Sequence, residues 1–275
     1  MSETTLLPDI WRLLRTPPAD GAWNMAVDLG LMDVAKRDRV GVLRVYGWSR
    51  PTVSFGRNER VAGVYVPEEL AAAGLDFVRR PTGGRALLHA REVTYSVALP
   101  IDDQVRWSRV YAAINQCLLT AMQALGLAAR LAVESPLIDE ATASKTPSHE
   151  QGVVCFSGIA PGEIAIENRK LIASSVWRER GAYLQHGSIL ISDDQSKLTA
   201  LMGARIASPE PAAALADLMA PELSADAIVN AVERELNCAV GYCGKTEPWS
   251  IPREVLKQVD VTRLALTQST WLWRR

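Results

Sequence analysis

Three segments of alternating apolar and polar side chains between residues 162 and 191 constrain the fold of this chain most strongly. They run from Glu163 to Glu167, from Lys170 to Arg178 and from Ala182 to Ile191, with turn residues between them. Alternation with a period of two is typical of a β-strand, and short turns join antiparallel neighbours. These residues therefore predict three consecutive antiparallel strands.

The rest of the chain adds helices and further strands. Asp20 can cap a helix from Trp23 to Val34, and the apolar spacing after Arg109 predicts a second helix. Between these helices the hydrophobic period changes to two. The strands predicted there are Val42 to Trp48, Thr52 to Phe55, Asp76 to Arg80 and Val93 to Leu99. We therefore expect an α/β (α+β) fold with a mixed, mainly antiparallel sheet flanked by helices.

A single domain can account for residues 1–275, because α/β domains of about 200 to 250 residues are common. Residues 192–275 are expected to form a mostly helical C-terminal extension, in which Ser224 caps an amphipathic helix. The polar stretch from Ser135 to Gly152 contains Pro136 and Pro147 and predicts an interior loop.

The composition is that of an ordinary globular protein. Hydrophobic residues make up 48% of the chain and charged residues 22%, which excludes a wholly disordered or collagen-like protein. The 30 basic and 31 acidic residues give a net charge of −1, which argues against a protein that coats nucleic acid or an anionic membrane. We therefore expect neither nucleic acid nor membrane as a partner.

The N-terminal residues and the cysteines indicate a reducing compartment. Glu3 and Asp9 interrupt the first apolar residues, so no secretory signal is visible and a cytoplasmic location is expected. Four cysteines without a CxxC pair are typical of free thiols. The chain contains no HExxH, P-loop or GxGxxG pattern, which disfavours a metal site and a standard nucleotide-binding fold.

A patch of arginines surrounds a pair of glycines. Arg79, Arg80, Arg85 and Arg91 fall within thirteen positions that contain no acidic residue. Arginines offer forked donors to phosphate or carboxylate, and glycines allow a close approach of the backbone. A hairpin turn with solvated arginines is the simpler interpretation of the glycine pair alone, but the missing carboxylates favour an anion site.

One cysteine and one lysine are candidates for covalent chemistry. Cys155 lies in an apolar run, where a buried inert thiol is the simpler interpretation. Lys170 begins a predicted strand, and a cation near the thiol would favour the reactive thiolate. A solvated hairpin lysine is the alternative for Lys170. For His89 and His186 the simpler interpretation is a satisfied core or loop histidine.

Several motifs, taken in order, resemble the lipoate-protein ligase and octanoyltransferase family, whose fold is shared with biotin-protein ligases. The resemblance covers roughly Trp11 to Leu190. Its motifs are Asn24-Met25-Ala26 with Asp28, Ser54-Phe55-Gly56, Arg79 to Ala86 with His89, Thr94-Tyr95-Ser96, Lys170, and Leu184 to Ser188.

Two features resemble one branch of that family, the cysteine-type octanoyltransferases. They are Gly83-Gly84-Arg85, where the ligases have three glycines, and Cys155-Phe156, with Cys155 fifteen residues before Lys170. The resemblance implies an octanoyl-[acyl carrier protein]:protein N-octanoyltransferase that acts in lipoate biosynthesis. A biotin/lipoate-protein ligase-like catalytic domain is the fold that it implies.

The resemblance also implies a mechanism. Cys155 would take octanoyl from the phosphopantetheine arm of acyl carrier protein and pass it to a lysine of a lipoyl domain or of glycine-cleavage H protein. Lys170 would favour the thiolate and stabilise the developing oxyanion. No cofactor is then expected, because the donor thioester is already activated, and the enzyme is expected to be a monomer.

Substrate binding is assigned by the same resemblance. The arginines would face the anionic arm or the acidic carrier protein, and the glycine turn would offer backbone N–H groups. The expected substrate-binding residues are Arg79, Arg80, Thr82, Gly83, Gly84, Arg85, His89, Ser174, Gln185, His186 and Gly187.

The chain departs from the family pattern in two places. Ala90 stands where the family commonly has an acid, and residues 173–176 are Ala-Ser-Ser-Val where the branch has Gly-Ser-Ala-Gln. We expect Ala173 to narrow the pocket. We also expect Val176 to alter how the acyl carbonyl or the acceptor lysine is held.

Other functions stay open on the sequence alone. An ATP-dependent lipoate ligase would form an adenylate and would not need Cys155. An amidotransferase would move octanoyl between protein lysines and ignore acyl carrier protein. Ala90 and Val176 are compatible with a non-catalytic lipoyl-domain or acyl-binding module, and a hydrolase built on Cys155 and His186 would release free octanoate.

Overall fold

A computed structural model describes residues 6–102, 104–132, 155–157, 159–179, 181–201, 211–220, 224–241 and 249–273. The predicted loop from Ser135 to Gly152 lies outside these residues. The strands are β1 (Trp11–Arg15), β2 (Gly41–Tyr46), β3 (Thr52–Phe55), β4 (Asp76–Arg79), β5 (Leu87–His89), β6 (Glu92–Pro100), β7 (Arg130–Leu131), β8 (Ile164–Ile166), β9 (Arg169–Glu179) and β10 (Ala182–Leu190). The helices are α1 (Gly21–Asp38), α2 (Pro67–Ala72), α3 (Trp107–Ala124), α4 (Ser196–Leu201), α5 (Leu215–Leu218), α6 (Ala225–Ala239), α7 (Arg253–Thr267) and α8 (Ser269–Leu272), with a short 3-10 helix at Cys155–Ser157.

The larger sheet has the strand order β1-β2-β6-β10-β9-β8-β7. Only β1 and β2 pair in parallel within it; the other neighbours among the described strands are antiparallel. This confirms the predicted fold class and the unit of three consecutive antiparallel strands. The first turn of that unit differs by one residue. Glu167 and Asn168 adopt positive φ angles of 50° and 62°, so Arg169 already belongs to β9.

The smaller sheet has the order β4-β3-β5, and the glycine-containing loop connects β4 to β5. β3 pairs in parallel with β4 and antiparallel with β5. The sequence did not predict β5, because its three residues are too few to show a period of two. The second half of the arginine patch is therefore a strand rather than a turn.

Side-chain oxygens start two of the helices as the sequence predicts. The Asp20 carboxylate accepts the N–H of Trp23 at 2.9 Å, and the Ser224 hydroxyl accepts the N–H of Ala227 at 3.2 Å. α1 continues to Asp38 instead of ending at Val34. None of the helices in the described part of the chain combines the length and apolar character that crossing a membrane requires.

Helices cover both faces of the larger sheet. Val97 of β6 belongs to a core cluster with residues of α3 and α6, whereas its neighbour Ala98 belongs to a cluster with residues of α1 and α7. This alternation follows from the pleat of the strand. α7, which the sequence analysis did not single out, buries Val255 and Val259 against α1.

The loop between β4 and β5 lies directly against the residue that follows β3. A Cβ atom on Gly56 would stand 1.8 Å from the carbonyl oxygen of Gly84. Gly84 itself has φ of +89°, a conformation that other residues rarely adopt. Two glycines are therefore needed to seat this loop on the smaller sheet.

We expect Gly56→Ala to destabilise the protein by about 3 kcal/mol, the upper end of the usual cost of overpacking, because backbone atoms block the new methyl group. Gly47→Ala is the matched control, since its Cβ would meet Pro18 at an ordinary 3.5 Å. Urea unfolding of both variants measures the difference. Equal stability of the two variants would contradict the close approach of the loop.

Candidate active site

A cavity lies where the two sheets meet. Both sheets contribute to its wall, together with α1, the loop after β4 and the 3-10 helix. Its lining residues are Met25, Tyr46, Trp48, Ser54, Arg80, Leu87, His89, Thr94, Cys155, Ala173, Ser174, Ser175, His186, Gly187 and Ser188. Six of the residues predicted for the site are among them: Arg80, His89, Cys155, Ser174, His186 and Gly187.

Cys155 lies at the wall of this cavity. The backbone N–H of Cys155 donates to the carbonyl of Ala86 at 2.8 Å, which ties the 3-10 helix to the end of the glycine loop. Cys155 is half-buried and packs against a core cluster that includes Leu87 and Ala173. Cys155 is therefore partly accessible instead of fully buried, and its reactivity stays a prediction.

The structure brings Lys170 to Cys155. The Lys170 ammonium donates to the backbone carbonyl of Cys155 at 2.8 Å and forms an ion pair with Glu163, also at 2.8 Å. The Lys170 residue is only 5% exposed, so the alternative of a solvated hairpin lysine is wrong. The sequence analysis missed Glu163 as a site residue, since no spacing pattern connects it with the lysine.

Arg79 lies away from the cavity wall. Its guanidinium is fully buried and donates to the carbonyls of Gly56, Glu59 and Leu272. These bonds join the smaller sheet to α8 near the C-terminus. The structure therefore corrects the picture of a cluster in which Arg79 faces an anionic substrate. Substrate binding by Arg85 stays a prediction.

Arg80 holds the glycine loop and also lines the cavity. Its guanidinium donates to the carbonyls of Ser54, Gly83 and Arg85. Burial lowers the pKa of Arg80, and attraction to the Cys155 sulfur and to the Glu59 carboxylate opposes that shift. Arg80 is therefore a cation on the same cavity wall as Cys155. The sequence analysis had named only Lys170 as a cation near the thiol.

A chain of hydrogen bonds runs from the core to the cavity through His186. Nδ1 of His186 lies 3.2 Å from Oδ2 of Asp28, and Nε2 lies 2.6 Å from the hydroxyl of Thr82. The Thr82 hydroxyl lies 2.7 Å from that of Ser175 at the cavity wall. Thr82 was predicted for the site, whereas Ser175 was noted only as a departure from the family pattern.

Asp28 is the inner, charged end of this series of hydrogen bonds. Burial raises its pKa, but Arg44 and the hydrogen bonds from His186 and Ser96 outweigh burial and hold the pKa below its ordinary value. Tyr46 also donates to this carboxylate, at 3.0 Å. Asp28 is therefore a carboxylate at neutral pH, although it is completely buried.

His89 has a carboxylate partner of its own. Its Nδ1 lies 2.8 Å from Glu92, its Nε2 lies 2.7 Å from the hydroxyl of Ser54, and its ring stacks on Trp48 at 3.9 Å. Ala90 stands where an acidic residue was expected from the family pattern. Glu92, two residues further along the chain, supplies a carboxylate instead. The sequence analysis missed Glu92, Ser54 and Trp48 as site residues.

Gln185 lies on the opposite face of the sheet from the cavity. Its amide donates to Tyr95 at 3.0 Å and to Asn115 of α3 at 2.9 Å. Because neighbours along a strand point to opposite faces, Gln185 and His186 do not share the cavity. Ser174 lines the cavity and bonds the Tyr95 hydroxyl at 2.7 Å. Gln185 thus fixes Tyr95 behind the site.

The sequence matches known enzymes of lipoate metabolism. A family model described as the lipoyl protein ligase A/B catalytic domain matches residues 20–237. The octanoyltransferase LipM of Kyrpidia tusciae is 34% identical over 280 residues, which cover 96% of this chain and 99% of that protein. The octanoyltransferase LipM of Exiguobacterium sp. is 32% identical over 96% of this chain and 98% of that protein.

Solved structures of similar fold are lipoate-protein ligases. A bipartite lipoate protein ligase from Thermoplasma acidophilum has a TM-score of 0.73 at 19% identity, over 97% of this chain and 96% of that chain. Lipoate-protein ligase A bound with ATP has a TM-score of 0.73 at 18% identity, over 96% of this chain and 98% of that chain. The expected lipoate-protein ligase-like fold is thereby confirmed.

We expect Asp28→Asn to destabilise the protein by about 3 to 5 kcal/mol at pH 7, because it leaves the Arg44 guanidinium buried without a counter-charge. Since folding lowers the pKa of Asp28 from 3.8, its stabilising effect is complete above that pH and is lost as the pH falls below it. Urea unfolding at pH 7, 4 and 3 measures the difference between the variant and the wild type.

The control for this prediction is Asp102→Asn, which removes an exposed ion pair with Arg39. Exposed pairs contribute about 0 to 1 kcal/mol, so this variant should resemble the wild type. An Asp28→Asn variant as stable as Asp102→Asn at pH 7 would contradict the role of the buried pair.

Proposed function

The chain belongs to the family of lipoyl protein ligase A/B catalytic domains, and on that premise we propose that it is a protein octanoyltransferase that works through a thioester on Cys155. Relatives that match over almost their whole length are octanoyltransferases, which supports octanoyl transfer in lipoate biosynthesis. The observation that carries the proposal is the half-buried Cys155 at a cavity wall, beside Arg80 and the Lys170–Glu163 ion pair.

The first half of the reaction forms the acyl-enzyme. The Cys155 thiolate attacks the carbonyl carbon of octanoyl bound to the phosphopantetheine arm of acyl carrier protein. The new carbon–sulfur bond forms, the old one breaks with its electron pair going to the arm, and the arm leaves as a thiolate that takes a proton from solvent. ATP is not needed, because one thioester replaces another.

Lys170 has two roles in this scheme. Through its bond to the carbonyl of Cys155 it fixes the 3-10 helix that carries the nucleophile. An ammonium has three N–H donors. Among the described residues, the Glu163 carboxylate accepts one of these N–H groups and the carbonyl of Cys155 accepts another. We assign the third N–H group to the oxyanion that develops on the acyl carbonyl.

The apolar part of the cavity suits the acyl tail. Met25, Trp48, Leu87 and Ala173 contribute apolar surface to its wall. Burying a hydrocarbon chain there contributes about 0.8 kcal/mol for each CH₂ group. Ala173 occupies the wall with a methyl group where the related branch has glycine, which favours a slender, unbranched acyl chain.

The second half of the reaction transfers octanoyl to a lysine. The acceptors we propose are a lipoyl domain or glycine-cleavage H protein, whose lysine amine attacks the thioester and forms an amide. The enzyme would act as a monomer in the cytoplasm.

Octanoyl-acyl carrier protein without ATP is expected to add one octanoyl group to the protein, visible by intact-mass analysis and labile to hydroxylamine. Cys155→Ala should abolish the adduct, because no other thiol lines the cavity among the described residues. Cys117→Ala removes a half-buried thiol on α3 and should keep the adduct. An apo lipoyl domain added afterwards should receive the group.

Two results would overturn this assignment. Acceptor modification that requires ATP with free lipoate or octanoate would mean a ligase. Release of free octanoate with no acylated acceptor would mean a hydrolase.

A charge-neutral replacement tests Lys170 more cleanly than Lys170→Ala, which leaves Glu163 buried without a cation. We expect the double variant Lys170→Met with Glu163→Gln to form the acyl-enzyme about 10²-fold more slowly, since one oxyanion donor is lost. Lys197→Met, which removes an exposed lysine from its ion pair with Asp194, is the control. A folded double variant with the wild-type acylation rate would exclude Lys170 from the reaction.

A further inference from the structure

The hydrogen-bonded series through His186 ends at the cavity, and the acyl-enzyme step described above does not use it. Asp28 and His186 are buried, Thr82 is buried beside them, and Ser175 is half-buried at the cavity wall. Each link is short enough for a hydrogen bond, at 3.2, 2.6 and 2.7 Å from Asp28 outward. A path for a proton therefore connects the cavity with a buried carboxylate.

The proton positions along this chain follow from the charges at its inner end. The Asp28 carboxylate can only accept, so Nδ1 of His186 carries a proton and donates to it. Burial lowers the pKa of His186, and its contact with Asp28 does not fully offset that effect, so the ring is neutral at pH 7. Nε2 is then an acceptor for the Thr82 hydroxyl, and the Thr82 oxygen accepts the hydroxyl of Ser175.

Amide formation needs a group that accepts a proton, and the ion-paired lysine does not suit that task. An amine that attacks a thioester becomes positively charged and must lose a proton before the amide is complete. Lys170 already donates to the Glu163 carboxylate and to the carbonyl of Cys155, so its contacts in the site are those of a proton donor. Neutral His186 has an acceptor nitrogen directed toward the cavity through two hydroxyl groups.

We propose that Ser175, Thr82, His186 and Asp28 form a proton relay for the amide-forming half of the reaction; this inference rests on the proposed function. Ser175 contacts the attacking lysine amine of the acceptor protein. Thr82, His186 and Asp28 are positioning residues that act through Ser175. Asp28 fixes the ring and stabilises the imidazolium that forms.

The bonds and charges of this step balance. The neutral amine forms a carbon–nitrogen bond to the acyl carbon. Ser175 takes the N–H proton and passes its own to Thr82, and Thr82 passes its own to Nε2 of His186. The carbon–sulfur bond then breaks, with its electron pair going to Cys155 as thiolate. The imidazolium returns its proton outward along the same path to solvent.

Charged groups from several elements surround the ring of His186. Asp28 of α1 favours an imidazolium, whereas Arg80 from the loop after β4 and His89 of β5 oppose one. Arg44 and Tyr46 of β2 reach the ring only through Asp28, to which both donate. The relay needs neutral His186, so the transfer rate at a fixed concentration of free amine should fall as the pH drops below the ordinary histidine value of 6.5.

Ser175 is the outermost hydroxyl of the path. Without it, the hydrogen bonds from Nε2 of His186 would end at Thr82, which is not among the residues that line the cavity. Ser175 therefore brings the path from Nε2 to the cavity wall.

The test measures the two half-reactions separately. Octanoyl-enzyme is formed from octanoyl-acyl carrier protein, freed of donor, and mixed with an apo lipoyl domain in a rapid-quench instrument. We expect Thr82→Val and Ser175→Ala each to slow the transfer by about 10²-fold, the lower end of the range of general acid–base catalysis. Both variants should form the acyl-enzyme normally and lose the decline of transfer at low pH.

Conservative variants separate the relay from a structural role. Thr82→Ser keeps the hydroxyl and should restore most of the transfer rate, whereas the isosteric Thr82→Val should not. Melting temperatures show whether each variant is folded. If Thr82→Val does not fold, the result for Ser175→Ala decides the outcome.

Each result has a definite meaning. Transfer at the wild-type rate by Ser175→Ala and by folded Thr82→Val, with the low-pH decline retained, would overturn the relay and leave the octanoyltransferase assignment intact. A wild-type protein that forms no acyl-enzyme from octanoyl-acyl carrier protein would overturn both.

Discussion

Asp28 and Arg44 form an ion pair at 2.7 Å in which neither side chain has any exposed surface. The Arg44 guanidinium also donates to the hydroxyl of Thr16 and to the backbone and side chain of Asn24, and it packs 3.9 Å over the ring of Tyr46. Taking two charges out of water costs several kcal/mol for each ion, so the pair persists only with this full set of partners. Its effect is to fix α1 on the sheet, and with α1 the carboxylate that orients His186.

The other charges of the site are held in a similar way. Glu163 forms an ion pair with Lys170, and the Glu92 carboxylate lies within hydrogen-bond distance of His89. The Arg80 guanidinium donates to carbonyl groups of the glycine loop. Groups with fixed partners do not need to reorient when charge develops on a substrate, which is how a preorganised site lowers a barrier. The cavity therefore combines a mostly apolar wall for an acyl chain with charged groups that the fold keeps in place.

Local patterns in the sequence were enough to predict much of the fold. The alternation of apolar and polar residues between 162 and 191 correctly predicted β8, β9 and β10. The capping residues Asp20 and Ser224 correctly predicted where two helices begin. The elements missed include β1, β5, β7 and α7. β5 is too short to show a period, and α7 buries its apolar face on α1, more than two hundred positions away in the chain.

Site residues, like the elements of the fold, were predicted correctly where the signal was local in the sequence and were missed where it depended on distant residues. Cys155 and Lys170 were identified because their spacing resembles one branch of the family. Arg79 could not be assigned correctly, because its partner Leu272 is 193 positions away. The alternation of β10 does imply that Gln185 and His186 face opposite sides, and applying it would have removed Gln185 from the predicted site.

The most direct test of the account is whether the octanoyl group on Cys155 is a true intermediate. Octanoyl-enzyme freed of donor should transfer its group to an apo lipoyl domain without ATP, at least as fast as the complete reaction turns over. An adduct that persists, or that transfers more slowly than turnover, would contradict the thioester route and leave Cys155 outside the reaction path.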